Sequence, residues 1–295
     1  MSRSESGMAL VLTLLVLTLV VTMVVEFSYG VYTSTSLLST WKDAQRLTGV
    51  AKSCITLAVA ALSDPLARSN YRTVGKVTIP VQGIVEGFAG TATVTTEDES
   101  AKFNLNSLRY PIGQLNREAY LALRKLLKTL EIPEQIADRL ANWLLKDSPF
   151  PREQDEPYKD AYLDSVDELL LIGAVDLPTY ERLLPYVTVF GTPGMLLVNA
   201  NTATVPVIMC LAEEISAAVA EGVVARRAFR PFMNSAEIRQ VPGLESVVFR
   251  RGQFVVTSSH YRITAAAEDQ KVRRTIECVV EVAGSTALVR QWMET

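Results

Sequence analysis

The sequence predicts an α+β protein: a long N-terminal membrane-spanning helix packed on an antiparallel sheet, with a large α-helical domain inserted between the strands. Three observations carry this reading. An uncharged apolar run lies near the N-terminus, two regions far apart in sequence alternate apolar and polar residues, and the stretch between them changes to a helical period.

Met8 to Val25 contains no charge, proline or glycine. Its eighteen residues, at about 1.5 Å each, give roughly 27 Å of helix, enough to cross the hydrocarbon core of a bilayer. Before it lies a polar tip, Met1-Ser-Arg-Ser-Glu-Ser-Gly7, too short to fold alone. Two readings fit. The run is an uncleaved signal anchor, or Met1 to Gly7 is a prepilin leader cut after Gly7, leaving Met8 at the start of the mature helix. A secretory signal would end in a small-residue cleavage site, whereas this run continues into Val25-Glu26-Phe27. Arg3 and the initiating amine favour a cytoplasmic tip, with Glu5 opposing.

Beyond the run, Leu37, Trp41, Ala44, Leu47, Ala51, Cys54, Ala58 and Ala61 recur at steps of three and four. This stripe predicts that the helix continues to about Leu62 and stops at Asp64-Pro65. The expected helix is therefore 8–62, with 8–25 in lipid. Val77, Ile79 and Val81, then Phe88, Ala92 and Val94, alternate around glycines and predict a hairpin. Tyr261, Ile263 and Ala265, then Ile276, Cys278, Val280 and Val282, predict a second, and a short apolar run, Ala287 to Met293, closes the chain. These place a sheet domain at 68–97 plus 253–295.

The inserted domain is expected at 98–252. Helices are predicted at 118–130, 134–145, 166–172, 178–184 and 205–227. Ser165-Val-Asp-Glu168 forms a capping box; Pro133, Pro178 and Pro206 suit first turns, and Gly173 suits a stop. No long-range repeat is evident. Asn104, Asn106, Asn199 and Asn201 read as structural, because Asn is a weak acid–base catalyst but holds backbone well in turns; Thr202 reads as the cap of the following helix.

Composition excludes several function classes. A net charge of −3 gives no electrostatic case for nucleic acid. Arg239-Gln-Val-Pro-Gly-Leu244 looks like the hairpin of helix-hairpin-helix DNA-binding modules, but Glu237 and Glu245 flank it, which favours a packing role. The single histidine, His260, beside Ser258 and Ser259, has no catalytic motif around it and no cluster for zinc. Gly-rich phosphate loops are absent, so no enzyme activity is expected. Cys54, Cys210 and Cys278 show no metal-ligand spacing. Cys54 and Cys278 both fall on the expected buried side, as a disulfide or as two separate thiols.

Four stretches, in order, carry a family resemblance: Gly7-Met-Ala-Leu-Val-Leu12, Glu97-Asp-Glu-Ser-Ala-Lys-Phe-Asn-Leu-Asn-Ser-Leu108, Leu183-Leu-Pro-Tyr-Val-Thr-Val189 and Val198-Asn-Ala-Asn-Thr-Ala203. Together the chain resembles the minor pseudopilin K family of type II secretion systems (general secretion pathway protein K). The resemblance implies a pseudopilin sheet and cleavage after Gly7 by a prepilin peptidase, with N-methylation of Met8. It also implies single-pass residence in the bacterial inner membrane with the bulk periplasmic. Expected partners are the I and J minor pseudopilins and the secretion apparatus, at the tip of a pseudopilus that exports folded proteins across the outer membrane. Most pilin-like proteins carry Glu at the fifth mature position to neutralise a neighbour's amine; here that residue is Leu12, as suits a subunit with no neighbour above it. A minor pilin of a type IV pilus and a signal-anchored periplasmic protein are the alternatives.

The same resemblance implies possible calcium binding, through a family pattern of roughly D-W-I-D-x-D followed by G-A-E-D. This chain departs from it. Asn142 and Leu145 stand at the first two acidic positions, leaving Asp147, Glu153, Asp155 and Glu156 as candidate ligands. Asp160 and Asp164 follow, while Lys146 and Arg152 oppose a cation.

Overall fold

The helix predicted from the apolar run is the longest element of the protein. In the computed structural model, which describes residues 3–64, 75–80, 90–152, 157–173, 175–245, 247, 253–269 and 272–295, α1 spans Arg3–Ser63 without a break. It extends back through the polar tip, because once the apolar run is helical each residue added at its end costs no new nucleation. It stops one residue before Asp64, as the following Pro65 demands.

Two solvents divide α1. Every side chain from Met8 to Tyr32 is exposed, with no protein covering it. Threonines enter this stretch cheaply because their hydroxyls donate to carbonyls one turn back: Thr13 Oγ1 to Leu10 O at 2.8 Å, and Thr22 Oγ1 to Thr18 O at 2.8 Å. The buried stripe begins at Ala44 and runs through Leu47, Val50, Ala51, Cys54, Ile55 and Leu62. Leu37 and Trp41, expected on that stripe, lie below the sheet and are 71% and 64% exposed; Ala61 also faces out.

The stripe packs on a five-stranded antiparallel sheet of order β1-β2-β7-β8-β9: β1 Gly75–Pro80, β2 Thr91–Asp98, β7 His260–Glu268, β8 Arg273–Ala283 and β9 Thr286–Glu294. Ala92 and Val94, Ile263, Ala265 and Ala267, then Ile276, Cys278, Val280 and Val282 line the covered face at the period of two that a sheet requires. The registers Ala92↔Ala267 and Val94↔Ala265 bring small side chains together, so the helix can approach closely. Val81 and Phe88, read as strand residues, lie outside the described residues.

The inserted domain leaves from β2 and returns to β7, which are hydrogen-bonded neighbours with Asp98 opposite Tyr261. The insertion therefore replaces a hairpin turn and leaves the sheet order undisturbed. It has its own core, centred on Phe103, Leu123, Leu126, Leu140 and Phe232. Its first part contains β3 (Phe103–Asn104), α2 (Arg117–Thr129), α3 (Gln135–Leu144), a 3₁₀ turn (Val166–Leu171), α4 (Leu177–Leu183) and β4 (Val187–Thr188). Its second contains β5 (Val198–Asn199), α5 (Val205–Cys210), α6 (Ala217–Phe229), a 3₁₀ turn (Ser235–Gln240) and β6 (Phe254–Val255). Phe254 and Val256 pack in this core, and the next strand of the five-stranded sheet begins at His260.

Two helical expectations need correction. The 166–172 helix is a 3₁₀ turn started by the Ser165/Glu168 capping box. The single 205–227 helix is two, broken at 211–216. There Lys125 Nζ donates to the carbonyls of Ala212 (2.6 Å), Glu213 (2.9 Å) and Ile215 (3.0 Å), and Ser216 caps the new helix at Val219 N. A cation holding three diverging carbonyls outcompetes continued helix.

Cys54 and Cys278 share the core between α1 and the sheet, but as free thiols, and Cys210 is a third in the inserted domain. Of the two readings of Cys54 and Cys278, two separate buried thiols is the one the structure shows. Burial pushes the Cys278 thiol up to about 11 and Cys210 to about 12, and raises Cys54 as well, so all three are unreactive in the folded state. Alkylation without reductant is expected to modify none of the three in the native protein and all three after denaturation. Mass spectrometry of the denatured sample showing a single modification would establish a disulfide instead.

Candidate functional site

Two adjacent carboxylates, Asp98 and Glu99, sit where β2 hands the chain to the inserted domain. Asp98 is 4% exposed and Glu99 fully buried. Asp98 Oδ2 accepts from Asn199 Nδ2 at 3.0 Å and from the hydroxyls of Thr202 and Ser258, while Oδ1 accepts from Ser100 N at 2.9 Å. Glu99 Oε1 accepts from Lys102 Nζ and Arg262 Nε, both at 2.8 Å, and Oε2 from the Thr188 hydroxyl.

The two groups are tuned in opposite directions. Burial among neutral donors raises Asp98 above the usual carboxylate range, with the four hydrogen bonds opposing. Burial also acts to raise Glu99, but Lys102 and Arg262 outweigh it and hold the carboxyl below its ordinary value. Arg262 is raised in return: burial lowers it, but Glu99 and Glu277, which it also bonds, prevail.

The asparagines form two copies of one device. Asn104 Oδ1 accepts from Asn106 N at 3.0 Å, and Asn199 Oδ1 from Asn201 N at 2.9 Å. Each first asparagine thus closes a turn onto the second. Asn106 then clasps Leu163 N (2.7 Å) and the carbonyls of Leu163 and Val189 (both 2.9 Å). Asn201 clasps Phe232 N (2.8 Å) and the carbonyls of Phe232 and Val256 (both 3.0 Å). Each device sits on a parallel two-residue ladder, β3 with β4 and β5 with β6. The repeat that sequence reading missed was signalled by Phe103-Asn-Leu-Asn106 and Val198-Asn-Ala-Asn201. Gly191 lies against the first copy: a Cβ there would stand 2.8 Å from Asn104 Nδ2.

Other expected residues fall as follows. Thr202 does not cap the next helix; its hydroxyl serves Asp98, and Thr204 occupies the cap of α5. His260 is mostly buried, with Ser259 Oγ 2.9 Å from Nδ1 and Glu281 3.9 Å from Nε2. Burial lowers its pKa despite Glu281, and Glu281 is also bonded by Arg290. Gly243, in the hairpin at 239–244, has φ +90° and packs against Val219, and its N–H donates to Glu245 at 2.8 Å. A carboxylate thus occupies the donor that a phosphate would need.

Of the calcium candidates, Glu153, Asp155 and Glu156 lie outside the described residues, and Asp147 is exposed. Among the described residues no group of three or more His, Cys, Asp or Glu is placed to hold a metal ion. A cleft of about 420 Å³ opens between the sheet's outer face and α4, lined by Lys102 and Arg262, but its charged groups have partners within the protein: Arg262 bonds Glu277, and Asp167 accepts from the Tyr180 hydroxyl.

A helix bare of protein for its first half and packed on an antiparallel sheet for its second defines a membrane-anchored subunit of the pseudopilin class. Gly7 and Met8 stand at the start of its apolar run, and no charged side chain interrupts the run before Glu26. Family models of type II secretion system protein K match residues 101–192 and 198–257, together just over half of the chain. The chain belongs to the type II secretion system protein K family. Each matched segment contains one asparagine device and the parallel ladder that closes it. One chain of the GspK–GspI–GspJ complex from enterotoxigenic Escherichia coli shares the fold, with a TM-score of 0.66 and 19% identity, covering 87% of this chain and 98% of that one. No curated protein matches the chain.

Glu99 makes stability acid-sensitive in a defined direction, opposite to that of Asp98, whose raised carboxyl favours the protonated form. Glu99 ionises more readily folded than unfolded, so its contribution is complete above its unfolded pKa near 4.5 and is lost as pH falls below that. Glu99→Gln is expected to cost about 2–4 kcal/mol at neutral pH, with the gap to the parent closing in acid. Thermal unfolding of both proteins across pH 3–7 checks this; a constant gap would refute it. Asn106→Ala is expected to cost about 3 kcal/mol, since it strands three buried backbone groups; urea unfolding provides the measure.

Proposed function

We propose that this protein is a minor pseudopilin at the tip of the type II secretion pseudopilus, where it starts or caps assembly. The observation that carries the reading is the uncharged exposed half of α1, with Leu12 where a stacking pilin subunit would present a carboxylate. In the bilayer these side chains face lipid. In a filament the same side chains face neighbouring helices, so extraction needs no exposure to water. With nothing stacked above Leu12, no incoming amine requires neutralising, and a buried charge there would be costly.

On this reading a prepilin peptidase cuts after Gly7, Met8 becomes the methylated N-terminus, and the sheet and inserted domain face the periplasm. The GspK-type neighbour occurs in a complex with GspI and GspJ; the corresponding minor pseudopilins are the partners proposed here, as part of the machinery that exports folded proteins. On this reading the role is structural, which the commitment of the joint's buried carboxylates to hydrogen bonds and ion pairs supports.

Mass spectrometry of the N-terminal peptide from the native host tests the reading. A chain beginning at N-methylated Met8 is expected, and Gly7→Val, which adds a branched side chain at the cleavage position, is expected to leave the leader attached and abolish secretion. An intact N-terminus in the parent protein would overturn the processing, and co-purification without I- and J-type partners would overturn the tip assignment.

A further inference from the structure

The loop that follows α3 carries its own cations. Arg152 reaches back to the C-terminal end of α3, where its guanidinium donates to the carbonyl of Asn142, to Leu145 O at 2.6 Å and to Lys146 O at 3.2 Å. The same group lies over the Tyr158 ring, 4.7 Å from its centroid. Arg109 Nη1 donates to Leu144 O at 2.8 Å and to Asp160 Oδ1 at 2.7 Å. Lys159 Nζ bonds Asp164 at 2.6 Å and Glu168 at 2.8 Å. Thus the helix-end carbonyls and the acids Asp160, Asp164 and Glu168 all have side-chain cations as partners.

This is the segment where the family resemblance implies calcium, and its described residues do not fit that ion. Calcium takes six to eight oxygens, usually several of them anionic. Here two of the three acidic positions of the motif are Asn142 and Leu145, both buried. Three carbonyls are occupied by a guanidinium, against which a divalent ion would be repelled. One buried oxygen, Asn142 Oδ1, lacks a hydrogen-bond partner, since its amide nitrogen donates to Pro151 O at 2.8 Å. Of the candidate ligands only Asp147 lies among the described residues, and it is exposed; together with one neutral oxygen it falls far short of a calcium shell.

We propose that in this protein the Arg152 guanidinium, flanked by Arg109 and Lys159, holds the helix-end carbonyls in the segment where the resemblance implies calcium, so that the inserted domain folds independently of calcium. A guanidinium neutralises the helix-end carbonyls as a cation would. It is covalently attached, so its occupancy does not depend on the ion's concentration or on chelators. Lys125, pinning three carbonyls at 212–215, applies the same solution elsewhere in the domain. The inference stands apart from the tip reading and survives or fails independently of it.

The test uses the purified full-length chain in detergent. Melting curves and intrinsic tryptophan fluorescence, to which Trp143 contributes, are recorded in EGTA, in millimolar CaCl₂ and in MgCl₂. The parent protein is expected to melt at the same temperature in all three, with no saturable calcium signal. Arg152→Met is expected to melt several degrees lower, and Arg152→Lys, which keeps the charge but loses the fork of donors, to fall between. A calcium-specific rise in the parent's melting temperature, or a saturable calcium-dependent change in fluorescence, would overturn the proposal. So would an Arg152→Met protein as stable as the parent. Should that variant not fold, the calcium comparison on the parent decides alone.

Discussion

The architecture hangs on the handover at Asp98 and Glu99. Two consecutive carboxylates at the end of one strand face different halves of the inserted domain. Asp98 holds the second half through Asn199, Thr202 and Ser258, while Glu99 holds the first through Thr188 and the sheet through Arg262. A carboxylate buried at this depth is unfavourable unless its oxygens are filled, so the site tolerates only the arrangement that fills them all. The insertion starts and ends on neighbouring strands and would otherwise be free to swing about its two connections. The joint converts a long excursion of the chain into a body fixed against the sheet.

The second governing constraint is the change of solvent along α1. From Met8 to Val25 its surface must satisfy lipid or other helices, so it is uncharged and mostly apolar all round, with hydroxyls turned onto the helix's own backbone, and the buried face starts only at Ala44. Above that point it needs one apolar face only, and Lys52 on its flank reaches Glu294 of the last strand at 2.8 Å. The small residues Ala92, Ala265 and Ala267 receive the helix closely enough to bury Leu47 and Cys54 completely or nearly so. One continuous helix thereby joins the exposed apolar half to the folded domains.

Much of this was legible because the signals were local and periodic. The apolar run, the heptad-like stripe and the alternation in β7 and β8 each state a burial pattern that elementary geometry converts into an element. Boundaries were less legible. Leu37 and Trp41 satisfy the stripe but have no sheet opposite them, and the 205–227 helix broke because Lys125, distant in sequence, captures the carbonyls of its middle. Thr202 had the chemistry of a cap, but a deeply buried carboxylate within reach made the stronger claim on its hydroxyl.

The sequence by itself determined the membrane helix, the α+β class and the family, since these rest on hydropathy, period and motif order along the chain. Tertiary structure alone decided that Asp98 and Glu99 would be tuned apart, that the two N-x-N turns would clasp backbone far away in sequence, that Cys54 and Cys278 would share a core as free thiols, and that Arg152 would close its own loop. Each of these depends on which groups from remote segments are brought within a few ångströms, where burial removes water and the remaining partners set the charge state. No local pattern encodes that distance.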